Sequence, residues 1–149
     1  MSEKRLKTEE LLDLLFEEQN LRQFFRQEAE NMTLPTFSEL LQAMCRQRQE
    51  VPEHIIARSD IDKSFGHQLF SGRRNPSRDT VLQLAFGFGA DVDEAQEMLR
   101  VARKSPLYPR VKRDTAILYC LHNHISLIDT QIILDDLGLP VLGSERKSD

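Results

Sequence analysis

The stretch Arg58–Thr80, RSDIDKSFGHQLFSGRRNPSRDT, holds a helix start, a helix stop and a second start in close succession. Asp62 can cap a helix, because its carboxylate accepts from free backbone N–H groups and suits the positive end of the helix dipole. Gly72 can take the left-handed conformation that ends that helix. Pro76 keeps the chain from continuing, and Ser77 can cap the next helix. The short helix so framed, about residues 62–70, sets Phe65, Leu69 and Phe70 on one side. Lys63, Ser64, His67 and Gln68 fall on the other.

The same punctuation recurs along the chain. Thr36-Phe37-Ser38-Glu39 fits a capping box, opening a helix with Phe37, Leu40, Leu41, Met44 and Cys45 on one face and an end near Arg48. Pro52 suits the first turn of the next helix, whose apolar face is Ile55, Ile56 and Ala57 and which stops around Ser59-Asp60. After Ser77, Val81, Leu82, Leu84, Ala85 and Phe88 mark a further helix, with Gly87-Phe88-Gly89 at its C-terminus. Asp91-Val92-Asp93-Glu94 caps another, carrying Ala95, Met98, Leu99, Val101 and Ala102. Ser105-Pro106-Leu107-Tyr108-Pro109 is a break. Two helical stretches follow, Arg110 to about Asn123 and Ser126 to Leu137 with a stop at Gly138. Ahead of it all, Thr8–Met32 carries Leu and Phe at helical spacings with a break near Asn20. Six Gly and six Pro in 149 residues are too few for a sandwich of many tight turns, so an all-α protein is expected. The expected segments are an N-terminal helical segment (1–34), a five-helix domain (35–104), a C-terminal helical pair (105–142) and a disordered tail (143–149).

The formal net charge is −4, which by itself gives no support to a polyanionic partner. Its distribution does. Residues 1–34 hold five basic against eight acidic residues, whereas residues 46–78 hold seven basic against four acidic. A polyanion responds to a local basic face rather than to the total. Cys45 and Cys120 both lie in apolar helical patterns, so no disulfide framework is expected and a cytoplasmic location is. Neither a signal peptide nor an apolar stretch of membrane-spanning length is read in the sequence, and no membrane association is expected. No Ser-His-Asp or Cys-His arrangement and no glycine-rich phosphate loop suggests an enzyme or a cofactor. His122-Asn123-His124 could suggest a metal, but residues i and i+2 on a helix point about 200° apart, so the imidazoles would not converge and helix-end histidines are expected.

Five helices between Thr36 and Arg103, the second and third joined by a tight turn, resemble the phage-repressor-like (Xre-type) helix-turn-helix transcriptional regulator family. The resemblance covers roughly residues 37–102. It is strongest at Leu69-Phe70-Ser71-Gly72-Arg73-Arg74-Asn75-Pro76-Ser77, similar to the apolar anchor, glycine stop, basic pair and Pro-capped helix of that family. Three positions depart from it. Pro52 stands where a Gln is usual, Ile56 where a small Ala is usual, and Asp60 where the turn usually has Gly; Asp tolerates positive φ better than most residues. Gly66 in turn replaces a branched aliphatic, so a large residue and an absent one would exchange places at the helix crossing and conserve its volume.

The resemblance implies a sequence-specific regulator of transcription that binds double-stranded DNA. Its recognition helix, about 62–70, would enter the major groove with its N-terminal residues at base edges. Lys63, Ser64, His67 and Gln68 are then the base-contact candidates: Lys63 can donate to guanine, and Gln68 can pair with adenine. Arg73, Arg74 and Asn75, with Arg58 and Arg78, are the phosphate-contact candidates. A homodimer is expected, its surface drawn from the N-terminal segment or from the helices after Pro109. The basic run Arg100, Arg103, Lys104, Arg110, Lys112 and Arg113 is expected to be solvated or paired with acidic residues rather than to extend the DNA surface. The alternative function is a protein-interaction module that keeps the fold without binding DNA.

Overall fold

The computed structural model describes residues 6–32 and 35–144. Every regular element among them is helical: nine α-helices, one 3₁₀ turn and no strand. No helix among the described residues is long and apolar enough to cross a membrane. The described residues divide into two units, one ending at Pro35 and the other beginning at Thr36.

The first unit holds α1 (Thr8–Glu17), α2 (Leu21–Gln27) and a 3₁₀ turn (Ala29–Asn31). The break between the helices falls at Asn20, whose side chain accepts from the Gln23 N–H and caps α2. Asn31 ties the ends of the unit together, accepting from the Leu6 N–H and donating to Glu28. Phe24 is buried, but Leu12, Leu14, Phe16, Leu21, Phe25 and Met32 are exposed.

The second unit contains α3 (Phe37–Arg48), α4 (Pro52–Arg58), α5 (Lys63–Ser71), α6 (Arg78–Phe88), α7 (Val92–Val101), α8 (Lys112–His122) and α9 (Leu127–Asp136). Its helix ends follow the sequence signals closely. Thr36 with Glu39 and Asp91 with Glu94 form capping boxes, while Asp62, Ser77 and Ser126 each accept from the backbone N–H three residues on. Gly72 and Gly89 close α5 and α6 with φ of 84° and 69°. Asp60, in the turn between α4 and α5, takes φ 55° without being glycine.

Helix α6 is the centre of this unit: nine of its eleven residues are buried. It packs against α4, α7 and α9, while α3 packs on α5 and α7, and α8 on α7 and α9. Leu107, Ile117, Leu121, Leu127, Leu134 and Leu142 lie in the same buried cluster as Leu41, Ile55, Leu69 and Leu82. The Ser105–Pro109 break therefore separates two sequence segments that share one core.

Two crossed ion pairs join those segments. Arg78 and Asp79 lie in the first turn of α6, and Arg113 and Asp114 in the first turn of α8. Arg78 donates from Nη1 and Nη2 to the Asp114 carboxylate at 3.1 and 3.0 Å, and Arg113 donates in the same forked way to Asp79 at 3.0 and 2.9 Å. The outer donors of each guanidinium reach backbone carbonyls, those of Ser105 and Pro106 for Arg78 and those of Pro140 and Val141 for Arg113. Asp79 also accepts from the Gly143 N–H at 2.8 Å. Gly143 is thus held by the fold, while residues 145–149 of the expected tail lie outside the described residues. Arg113, expected to be solvated or paired, is paired with Asp79; Arg100 is paired with Glu97 one turn away.

Both cysteines are buried and free. Burial, with a smaller contribution from the Glu50 carboxylate, raises the Cys45 thiol above its ordinary value. Since the thiolate is the reactive form, Cys45 should resist a thiol reagent at about pH 8 until the protein unfolds. Mass-spectrometric labelling with and without denaturant checks this, and rapid modification of native Cys45 would contradict it.

Candidate nucleic-acid interface

Helix α5 presents its polar side because its other side is committed to the core. Gly66, Leu69 and Phe70 are buried and Phe65 is half-buried, leaving Lys63 and Ser64 exposed and His67 and Gln68 half-exposed. The four line one shallow concavity together with Asp62, Ser71 and Arg73. The structure therefore gathers all four expected base-contact residues and one expected phosphate-contact residue on a single surface.

The loop after α5 is tied back to its last turn. The Arg73 and Arg74 N–H groups both donate to the Gln68 carbonyl, at 2.9 and 3.3 Å, and Gly72 supplies the required positive φ. Arg73, Arg74 and Asn75 are all exposed. Lys63, Arg73 and Arg74 form no ion pair among the described residues, so their charges face solvent.

Arg58 and Arg78 do not join them. Arg58 donates from Nε to the Gly87 carbonyl and pairs through Nη2 with Glu50 at 2.8 Å. Arg78 spends Nε, Nη1 and Nη2 on Ser105, Asp114 and Pro106. As phosphate-contact candidates both are set apart by these commitments: an arginine that already holds carboxylates and carbonyls would have to release them to bind a phosphate.

The C-terminal end of α5 and the turn that precedes it are held by polar side chains that sequence reading missed. Gln42 of α3 donates to the Phe70 carbonyl at 2.8 Å. Gln83 of α6, buried, donates to the carbonyls of Ser59 and Asp60 at 3.2 Å each, and the Ser59 hydroxyl donates to Ile55 at 2.7 Å. The α4–α5 turn is in this way fastened to the central helix. The one available signal was a polar residue inside the apolar pattern of α6. Glu53 was missed too: its carboxylate lies 3.9 Å from His67 Nε2, which puts an acidic group beside the polar surface of α5.

The crossing of α4 and α5 has the exchanged volumes read from the sequence. A Cβ placed on Gly66 would lie 2.7 Å from both Cγ atoms of Ile56 and 2.9 Å from its Cδ1. Ile56 therefore fills the space that a side chain at position 66 would need. Farther along the chain, His122 is the last residue of α8 and His124 follows in the left-handed region with φ 53°, both exposed. Comparison with known protein families, with curated proteins and with solved structures finds no match for this chain.

Proposed function

We propose that the chain is a sequence-specific DNA-binding regulator of transcription, with α4 and α5 as its helix-turn-helix and α5 in the major groove, acting as a homodimer in the cytoplasm. The observation that carries this reading is the convergence of Lys63, Ser64, His67, Gln68 and Arg73 on one concave surface. Support also comes from the backing of that surface: α5 is packed along its apolar side, hydrogen-bonded by Gln42 at its C-terminal end and preceded by a turn that Gln83 fastens to α6, so it can be offered as a rigid rod. Lys63 and Gln68 supply the donor and the donor–acceptor pair that base edges in the major groove match. Arg73 and Arg74, at the exposed end of the same helix, suit phosphates that fix register without reading sequence.

The reading is tested by binding to random duplex DNA over a salt series. Affinity should fall steeply as salt rises, because lysines and arginines displace condensed counterions. Lys63→Ala combined with Gln68→Ala should remove the preference for a selected site, a loss of roughly 1–3 kcal/mol of discrimination per base contact. Arg73→Ala with Arg74→Ala should weaken every duplex alike and flatten the logarithmic salt slope by about 1 for each contact removed. A protein that binds no duplex at low salt would instead be the interaction module, keeping the fold and presenting α5 to another protein. Glu53 beside His67 and the net charge of −4 are what favour that second reading.

A further inference from the structure

We infer that the groove between α8 and α9 binds a small anion with an apolar body, of the kind of a medium-chain carboxylate or alkyl phosphate. The inference stands apart from the DNA reading. Helical spacing builds the groove, about 670 Å³ in volume. Lys112, Ala116 and Tyr119 are neighbours on one face of α8, Ile133 and Leu137 lie one turn apart at the end of α9, and all five line it. The small Ala116 leaves room between the longer side chains of Lys112 and Tyr119. Hydrogen bonds fix the frame. The Thr115 hydroxyl donates to the Pro109 carbonyl at 2.6 Å, and the Val111 N–H donates to the Tyr108 carbonyl. On the other side Gly138 follows α9 with φ 73°, and Arg113 holds the Pro140 carbonyl just past Leu139. A groove held in this way is pre-formed, as small-molecule sites usually are.

Charge and size select the occupant. Arg110 and Lys112 line the groove where α8 begins, and no acidic residue lines it. Neither cation forms an ion pair among the described residues. An anionic head is drawn to that end, where the Arg110 fork and the Lys112 ammonium can donate to its oxygens. Apart from Thr115 the remaining lining is apolar, and Tyr119 and Leu137 are each more than half exposed. A bound alkyl chain would take that surface out of water. The volume falls within the roughly 300–1,000 Å³ of small-molecule sites. The nine lining residues are well short of the roughly 20–30 that a stable protein interface takes from each side. A partner helix or a second copy would need a larger continuous face.

Amide NMR titration of the full chain without DNA tests this, with octanoate, octyl phosphate and octylammonium as probes. Both anions should shift the amides of residues 110–119 and 133–139 with a Kd of millimolar order or tighter, the affinity open to so few heavy atoms. Octylammonium, with the same chain and the opposite charge, should bind roughly tenfold or more weakly. Arg110→Gln combined with Lys112→Gln should weaken both anions by roughly three- to thirtyfold, the range for two solvent-exposed ion pairs, and bring them level with octylammonium. Ala116→Phe should fill the groove and remove the shifts from all three probes. Arg110 and Lys112 are exposed, so the glutamine variant keeps its fold even where the larger ring at position 116 disturbs the packing. Absence of shifts at these residues, octylammonium binding as well as the anions, or anion affinity unchanged in the glutamine variant would overturn the inference. So would amides here that move with protein concentration alone, which would give the groove to a second copy. A designed helical peptide of Leu and Glu that displaces octanoate at micromolar concentration would give it to a partner protein instead. Failure to bind duplex DNA removes the DNA reading and leaves this one standing.

Discussion

Asp79→Ala should destabilise the protein by about 3–5 kcal/mol, the range for removing one partner of a buried ion pair. The carboxylate is fully buried and accepts from both terminal nitrogens of Arg113 and from the Gly143 N–H. Its loss strands the Arg113 guanidinium, only 13 % exposed, against the backbone carbonyls of Pro140 and Val141 without a counter-charge. It also removes an acid from the first turn of α6, where the helix dipole favours one. In a chain of this length the melting temperature should drop by about 2–4 °C per kcal/mol. Chemical denaturation measures the total, and hydrogen exchange locates it: protection should fall first in α8 and α9, which the pair tethers. Replacing both partners with apolar residues of similar volume, Asp79→Leu with Arg113→Met, should cost much less than Asp79→Ala alone, because no charge is then left buried. Glu97→Ala, which removes the exposed partner of Arg100 within α7, should change stability by about 0.5 kcal/mol or less. A cost below about 1 kcal/mol for Asp79→Ala would mean that Arg113 finds water, and the crossed pairs would not be the joint described above.

What was legible in the sequence and what was not divide along a physical line. Helix ends are local: Thr36, Asp62, Ser77 and Asp91 cap through their own backbone neighbours, and Gly72 stops α5 through its own φ, so each could be read from a few residues. The sides of α5 were legible for the same reason: of Phe65, Leu69 and Phe70, set on one side by helical geometry alone, Leu69 and Phe70 are buried and Phe65 is half-buried. Long-range polar pairing was not. In sequence Asp79 is one more acid near a helix start and Arg113 part of a basic run, and nothing within ten residues of either shows that they meet across thirty-four positions of chain. Arg78, read as a phosphate-contact candidate, has its partner Asp114 comparably far along the chain. The repeated Arg-Asp dipeptide at 78–79 and 113–114 was the only hint. Gln83 escaped because its function is to satisfy two turn carbonyls that belong to a different helix pair. As for the candidate site, the polar face could be named from periodicity, but Glu53 could not be placed beside His67 without knowing how α4 lies on α5.

The exchanged pair at that crossing gives the sharpest test of how the helices fit. Gly66→Val should cost about 3 kcal/mol or more, at the upper end of overpacking effects, because the new Cβ alone would stand 2.7 Å from an Ile56 side chain that is itself 2 % exposed and has nowhere to retreat. A small gain in helix propensity over glycine offsets only a fraction of a kcal/mol of that. Ile56→Ala should cost about 2–5 kcal/mol through the cavity it leaves under α5. The double variant, Ile56→Ala with Gly66→Val, puts a small residue on α4 and a branched one on α5 and returns most of the volume. It should be more stable than Gly66→Val alone, and its cost should fall short of the sum of the single changes by about 1–3 kcal/mol, the coupling expected of residues in direct contact. The measurement is a double-mutant cycle by urea denaturation. Simple additivity would show that α5 can shift on α4 to relieve either change independently, and a recognition helix that slides so freely could not hold Lys63 and Gln68 in a fixed register. Restoration in the double variant would show the reverse: the interval between the two helix axes is set by total volume at this crossing, and the polar face of α5 is positioned by a glycine on its buried side.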